Sequence, residues 1–337
     1  MTTTAPRAPI APGQLPTGAE PPRRAPSQGV PSHGGVIGRF QRYLEQRGKF
    51  GWALIVPALL VLVPVVIGPT IFVVVMAFMR YSPGEAMQFV GLRNFIRAFT
   101  TDRFWHGLYV TAWFVFFSIG VQLLIGFIAA LSLQRVGARL RQFAMAFMLI
   151  PMMIAPTVVG VLWKMIFKAR YGALNYLREQ VGITGPDWLA NSTAALAGLL
   201  IADIWQWTPF ITILLFAGLQ SLPREIYEAA YVDGSRSWQV FKNMTLPLMK
   251  PFIFLAVFLR MIDAWKMFDL VMGVTRGGPG DFTESIAFYT YKIGFTYFEQ
   301  GYAAALSFIQ LIVIIILGKL LLGQLNKVTA ENKVTVE

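Results

Sequence analysis

Six stretches of this chain are each apolar over about 20 residues or more, the length of helix needed to cross a bilayer core of about 30 Å. They occupy residues 52–79, 108–133, 143–167, 193–219, 252–274 and 303–325. In lipid every backbone N–H and C=O must find its partner inside the protein, and runs this long and this poor in charge do so only as α-helices. Composition agrees: 55% hydrophobic and 14% charged residues, with a mean hydropathy of +0.56, lie far from the balance of a soluble domain. The expected fold is all-α, a polytopic integral membrane protein with six transmembrane helices.

Lys and Arg collect in cytoplasmic tails and loops, so their distribution sets the orientation. Six spans put both termini on one side, and that side carries seventeen of the 29 cations, among them Arg7, Arg23, Arg24, Arg135, Arg139, Arg224, Lys242 and Lys327. The opposite side carries nine, including Arg80, Arg93, Arg97 and Arg276; Lys164, Arg260 and Lys266 lie within or near spans. Both termini are therefore expected in the cytoplasm, with segment 220–250 beside them. Residues 1–50 read as a disordered Pro/Ala-rich tail leading into an interfacial segment over 36–50, where Phe40, Tyr43 and Leu44 alternate with Arg39, Arg42 and Arg47. Residues 51–326 form the six-helix domain and 327–337 a cytoplasmic tail. No apolar core of a cleavable signal peptide precedes Trp52.

Several function classes are disfavoured. The net charge of +12 suggests nucleic acid, but much of it flanks the spans in the pattern topology requires. With no Cys, and only His33 and His106, there is little material for disulfides, thiolate chemistry or a His-rich metal site. A phosphate-binding Gly-x-x-x-x-Gly-Lys-Ser/Thr loop is missing, since the Gly-Lys pairs are followed by Phe50 and Leu320. No ATP site is expected on this chain.

The polar segment between the fourth and fifth spans reads as two short helices around a glycine. Pro223 suits a first helical turn, Glu225 and Glu228 lie near that helix's positive end, and Gly234 suits the C′ position. Ser235 or Ser237 can cap a second helix, which Pro247 is expected to stop before re-entry at Pro251. Ile226, Ala229, Ala230 and Asp233 share helical spacing, leaving small residues where another surface can approach. An amphipathic linker explains the same pattern.

Polar groups at membrane depth are costly and mark a pathway by default. The fourth span carries Asp203, Gln206, Trp207 and Thr208 beside Pro209, the fifth Arg260, Asp263, Trp265, Lys266 and Asp269, and the sixth Ser307 and Gln310 on one face. Rings that stack on apolar sugar faces, mixed with amides, hydroxyls and carboxylates, suit a carbohydrate. Structural readings stay open: Trp205 or Trp207 as packing, Asp263 with Lys266 as a neutralising pair, Asp269 as a hydrogen-bond acceptor, Arg260 and Lys164 snorkelling to an interface. An unpaired Lys266 would favour an anionic substrate.

The segment Glu228-Ala229-Ala230-Tyr231-Val232-Asp233-Gly234, with Leu246-Pro247 at fixed distance, resembles the Glu-Ala-Ala-x3-Gly-x9-Ile-x-Leu-Pro loop of permease subunits of binding-protein-dependent ABC importers; Met244 stands where Ile is usual. Phe89-Val90-Gly91-Leu92-Arg93-Asn94-Phe95, Trp205-Gln206-Trp207-Thr208-Pro209-Phe210, Asp263-Ala264-Trp265-Lys266-Met267-Phe268-Asp269 and Gly277-Gly278-Pro279 make the chain similar to the maltose-type carbohydrate permeases of that class. The resemblance implies the type I ABC importer permease fold in a bacterial inner membrane. It also implies a second permease subunit, usually a different chain, two ATPase subunits that hold ATP and Mg, and an extracytoplasmic solute-binding protein that meets loops 80–107 and 168–192. Glu228, Ala229, Ala230, Asp233, Gly234, Leu246 and Pro247 would couple to the ATPase. Gln206, Trp207, Thr208, Asp263, Trp265, Lys266, Asp269, Ser307 and Gln310 would meet the sugar.

The competing class is an ion-coupled secondary transporter using Asp203, Asp263 and Asp269 as ion sites. It gives no account of the 228–247 pattern. An intramembrane enzyme finds no nucleophile–base constellation here.

Overall fold

The structure is a computed structural model that describes residues 49–182, 185 and 187–336. The disordered tail and most of the interfacial segment expected before residue 49 lie outside the described residues. Residues through Val65 form one unit and those from Val66 another. The uniformly apolar helix α1 (Lys49–Ala77) supplies the described part of the first unit and continues into the second.

After α1 a two-residue strand, β1 (Met79–Arg80), pairs antiparallel with β2 (Gln88–Phe89). It is followed by α2 (Arg93–Thr100) and the 34-residue α3 (Asp102–Arg135). The buried amide of Asn94 donates to the Ala77 and Met79 carbonyls, 2.9 Å each, supplying donors that the end of α1 lacks.

The third expected span is not continuous. It is divided into α4 (Ala138–Met153) and α5 (Pro156–Ile166), bent by 91°. Pro156 drives the preceding residue out of the helical region, and Ala155 indeed sits at φ −58°, ψ 136°. A short α6 (Ala173–Gln180) precedes α7 (Ser192–Gln220), whose first turn is capped by the Asn191 side chain accepting from the Ala194 N–H at 3.0 Å.

Next come α8 (Arg224–Val232), α9 (Ser237–Val240), a π-helical turn over Phe241–Thr245, and α10 (Leu246–Trp265). The fifth span therefore differs from expectation at both ends. It begins at Ser237 and runs 29 residues to Trp265. There the chain folds back, with the Phe268 N–H bonded to the Lys266 carbonyl at 2.5 Å, and restarts as the short α11 (Asp269–Val274). α12 (Ile286–Tyr291), a π-helical turn over Lys292–Thr296 and the long α13 (Gln300–Val336) complete the order; α13 continues through the region expected to be a tail. Among the described residues five helices are long and apolar enough to span, and six spans result when the bent pair α4–α5 counts as one.

α3 and α7 pack along one another, and the shared core of the second unit gathers Phe114, Val159, Phe167, Leu199, Ala202, Val271 and Phe288 from five helices. The broken pieces α5 and α11 approach backbone to backbone: a Cβ on Gly273 would lie 2.7 Å from the Gly160 Cα. Glycine at both positions lets the two half-helices touch, and it fixes the geometry of the cleft beside them.

Candidate functional site

A cleft of about 170 Å³ opens where α3, α5, α7, α10 and α11 meet. Of the residues expected to meet substrate, Gln206, Trp207, Asp263, Lys266 and Asp269 line it, together with Phe114 and Pro156. The break before Pro156 and the fold-back at Lys266 bring these side chains together, as irregular backbone at membrane depth does only where it lines a cavity or is buried in protein.

A charge network that ties three helices reaches the cleft through Asp203 and Asp263. Arg260, 1% exposed, donates through Nη2 to both Asp203 oxygens at 2.7 and 2.6 Å, through Nη1 to Asp263 Oδ2 at 2.8 Å and through Nε to Gln122 Oε1 at 3.0 Å. Gln122 Nε2 donates to Asp203 Oδ2 at 2.7 Å, and the Ser118 hydroxyl donates to the same oxygen. Each nitrogen of the guanidinium has a carboxylate or amide oxygen opposite it, the condition under which a buried charge is tolerated. Arg260 therefore does not snorkel. It lies within the protein, its guanidinium 4.9 Å from the centre of the Trp207 ring.

Asp263 belongs chiefly to Arg260, because Lys266 approaches it only to 3.8 Å and both side chains are partly solvated. Lys266 is thus neither unpaired nor in a tight buried pair; its ammonium stands at the mouth of the cleft. Gln206 spends one N–H on the Ile154 carbonyl at 3.0 Å, bracing the break of the third span. Thr208 donates back to the Ile204 carbonyl at 2.6 Å, and Trp265 is buried; neither lines the cleft. Ser307 and Gln310 are elsewhere too. Ser307 lines a separate cavity with Thr290 and Phe295, and Gln310 donates to the Thr290 hydroxyl at 2.8 Å.

Sequence reasoning noted Asp203 and Arg260 but did not join them to Ser118 and Gln122. The signal was present: two polar residues four apart in an apolar span mark one helical face. It also missed Glu284, 1% exposed, which accepts from Arg103 at 2.5 and 3.0 Å and pairs with Lys292 at 3.0 Å. Outside the spans, Arg97 is held above the ordinary guanidinium value chiefly by its hydrogen bond to Glu299, and burial raises the Tyr289 phenol.

The second region is the segment between α7 and α10. Pro223 occupies the N-cap of α8 instead of its first turn. At the other end Gly234 has φ +74°, its N–H bonds the Tyr231 carbonyl at 3.1 Å, and the Ser235 N–H bonds the Ala230 carbonyl at 3.0 Å. This is a Schellman cap, with glycine in the left-handed position such a cap requires. Neither serine caps α9. Arg236 holds that position, and its N–H is met by the Gln239 side chain at 2.9 Å.

Pro247 does not stop the second helix. The π-helical turn just before it absorbs the missing donor, so α9 passes into α10 without interruption. Glu228, Ala229, Asp233, Gly234 and Leu246 are exposed, with Tyr231, Val232 and Trp238 beside them. Ala230 faces inward at 1% exposure, and the Tyr227 hydroxyl reaches Thr245 at 3.2 Å. Of the face expected to be open, Ala229 and Asp233 are exposed, Ile226 is half-buried and Ala230 is closed off. The segment presents a short helix, a sharp turn and a second helix rigidly continuous with a span.

The family described as "Binding-protein-dependent transport system inner membrane component" matches residues 122–329, which include the segment between α7 and α10 and the lining of the cleft apart from Phe114. The chain is 34% identical over 276 residues to the trehalose/maltose transport system permease protein MalF of Thermococcus litoralis, covering 80% of this chain and 91% of that one. It is 35% identical over 253 residues to a probable ABC transporter permease protein, y4oQ, of Sinorhizobium fredii, covering 74% and 81%. In structure it is similar to a chain in the crystal structure of a bacterial alginate ABC transporter in complex with alginate pentasaccharide-bound periplasmic protein, with a TM-score of 0.72 at 18% identity, over 84% of this chain and 96% of that one.

Proposed function

This chain belongs to the family of inner membrane components of binding-protein-dependent transport systems, and from that premise we propose that it forms half of the translocation pore of an ATP-driven importer for a sugar or sugar-like solute. The observation that carries the reading is the helix–glycine–helix segment at Glu228–Pro247, which exposes Glu228 and Gly234 and continues into the fifth span. An ATPase that closes on ATP binding needs such a lever, because a displacement at α8 then moves α10 and the cleft residues Asp263 and Lys266 at its far end.

A second permease subunit completes the pore, two ATPase subunits holding ATP and Mg sit on the cytoplasmic side, and an extracytoplasmic binding protein delivers the solute. Both termini lie in the cytoplasm by the distribution of Lys and Arg. Gln206, Trp207, Asp263, Lys266 and Asp269 contact the solute in the cleft: an aromatic face, an amide, two carboxylates and an ammonium offer a ring's hydroxyls both donors and acceptors. Thr208 and Trp265 support its walls from behind, while Ser307 and Gln310 lie away from it. An ion-coupled mechanism fits poorly, because both Asp203 oxygens are taken by Arg260, with Gln122 and Ser118 adding to one of them.

The test is gentle purification of the tagged chain from its native membrane with identification of what accompanies it, followed by reconstitution into liposomes. Recovery of an ATPase and a second permease, with uptake of a sugar that requires ATP, supports the reading. Recovery of the chain alone or as a homo-oligomer, with uptake that follows an ion gradient, overturns it.

A further inference from the structure

At the end of the spans opposite the lever lies a cavity of about 530 Å³ among Arg80, Arg93, Arg97, Glu85, Glu299 and Tyr302. Arg97 is already satisfied: it pairs with Glu299, and its guanidinium lies 4.1 Å from the centre of the Tyr302 ring. Arg80 and Arg93 have no ion-pair or side-chain hydrogen-bond partner among the described residues. Three guanidiniums thus face two carboxylates, Glu85 and Glu299, so the lining carries one net positive charge, on the side of Arg80 and Arg93.

The depth of this cavity is set by its anchors. Asn94 fastens α2 to the end of α1, Arg97 fastens it to Glu299 just before α13, and α3 starts two residues after α2 ends. A helix held at the point where three spans meet the bilayer surface lies at headgroup level. Its surroundings fit that level. Phe89, Leu92, Ile96, Phe99 and Trp105 are half to three-quarters exposed, a row that would be costly in water and that acyl chains cover in an interface. Along α2, Arg93 and Arg97 are four apart, and Leu92, Ile96 and Phe99 follow helical spacing beside them.

We propose that this cavity binds the phosphate of an anionic phospholipid headgroup in the leaflet opposite the lever, with Arg80 and Arg93 as its charge partners and the apolar row lying along the acyl chains. A bound lipid would fix α2 against α1 and α13. The inference stands on membrane insertion alone and does not depend on what the protein transports.

The experiment titrates the purified complex, delipidated in detergent, with dioleoyl phosphatidylglycerol and with dioleoyl phosphatidylcholine, and reads retained lipid by native mass spectrometry. The wild type should retain phosphatidylglycerol in preference. The double variant Arg80→Gln/Arg93→Gln should lose about 30-fold in apparent affinity for it, roughly fivefold per cation, with phosphatidylcholine unchanged. Arg80→Lys/Arg93→Lys keeps the charge and should bind well above the glutamine variant, which separates charge from folding. Unaltered phosphatidylglycerol affinity in the glutamine variant overturns the proposal. So does displacement of the lipid by millimolar inorganic phosphate, which would assign the cavity to a soluble anion, or loss of binding-protein association with lipid retention intact, which would assign it to a protein partner.

Discussion

The lever and the cleft are built by opposite means. Residues 224–247 take their shape from bonds between near neighbours: Ser235 to Ala230, Gly234 to Tyr231, Arg236 to Gln239. The network at the cleft joins residues far apart in the chain, Asp203 with Gln122 and Arg260 with both. A locally determined element keeps its form while its neighbours change, which suits a part that docks on a moving partner. A network shared by three helices holds them in one arrangement, and it registers any displacement of the fifth span.

The largest expected effect is at the network. Replacing Arg260 with Leu leaves Asp203 buried without its cation, at a cost of about 3–5 kcal/mol, and the melting temperature of the purified complex should fall steeply. Adding Asp203→Leu should restore much of the stability, because apolar residues of similar size replace buried ion pairs with little loss. If the single variant melts like the wild type, the network does not hold the helices together.

Next comes the contact between the half-helices. Gly273→Ala forces a Cβ to within 2.7 Å of Gly160, and the backbone shift that follows should cost about 1–3 kcal/mol. Its signature should be a lower melting temperature together with weaker substrate binding, since α11 carries Asp269 into the cleft. Loss of stability with substrate affinity intact would detach the half-helix contact from the cleft.

Gly234→Asp should cost less, roughly 1–2 kcal/mol for a side chain at φ +74°. Its effect on function should be larger than its effect on stability, as should that of Glu228→Lys: ATP hydrolysis continues while uptake falls. Normal uptake by both variants would sink the lever. The smallest effect on stability belongs to Lys266→Gln, because an exposed pair at 3.8 Å is worth at most about 1 kcal/mol. Its readout is selectivity. Uptake of an anionic sugar should drop while that of a neutral sugar holds, and equal transport of both would remove Lys266 from recognition.

The same contrast explains what could be read from sequence. The spans were legible because apolar length is a local property, and the helix end at Gly234 was legible because a Schellman cap is determined within a few residues. The fate of Pro247 was not, since a π-helical turn that carries a helix past proline leaves no compositional mark. The break in the third span was not legible either: residues 143–167 are apolar almost throughout and read as one span, and the halves that meet at 91° pack through Gly160 against Gly273, more than a hundred residues away. Gln206, Trp207, Asp263, Lys266 and Asp269 were found because polar residues in spans stand out singly. Their pairing was not, because Asp263 has cations within reach at both Arg260 and Lys266, and only the packing of α3, α7 and α10 decides between them.

The most direct test uses the fact that the chain contains no Cys, so each introduced cysteine is a sole thiol on this subunit. Glu228→Cys and Lys266→Cys, in membranes carrying the whole complex, are labelled with a water-soluble maleimide with and without the ATPase subunits, and with and without the transported sugar. Labelling at 228 should slow with the ATPase and ignore the sugar, and labelling at 266 should do the reverse. Protection of 228 by sugar alone, or of neither position by either partner, would contradict the assignment of these two regions to the ATPase and the solute.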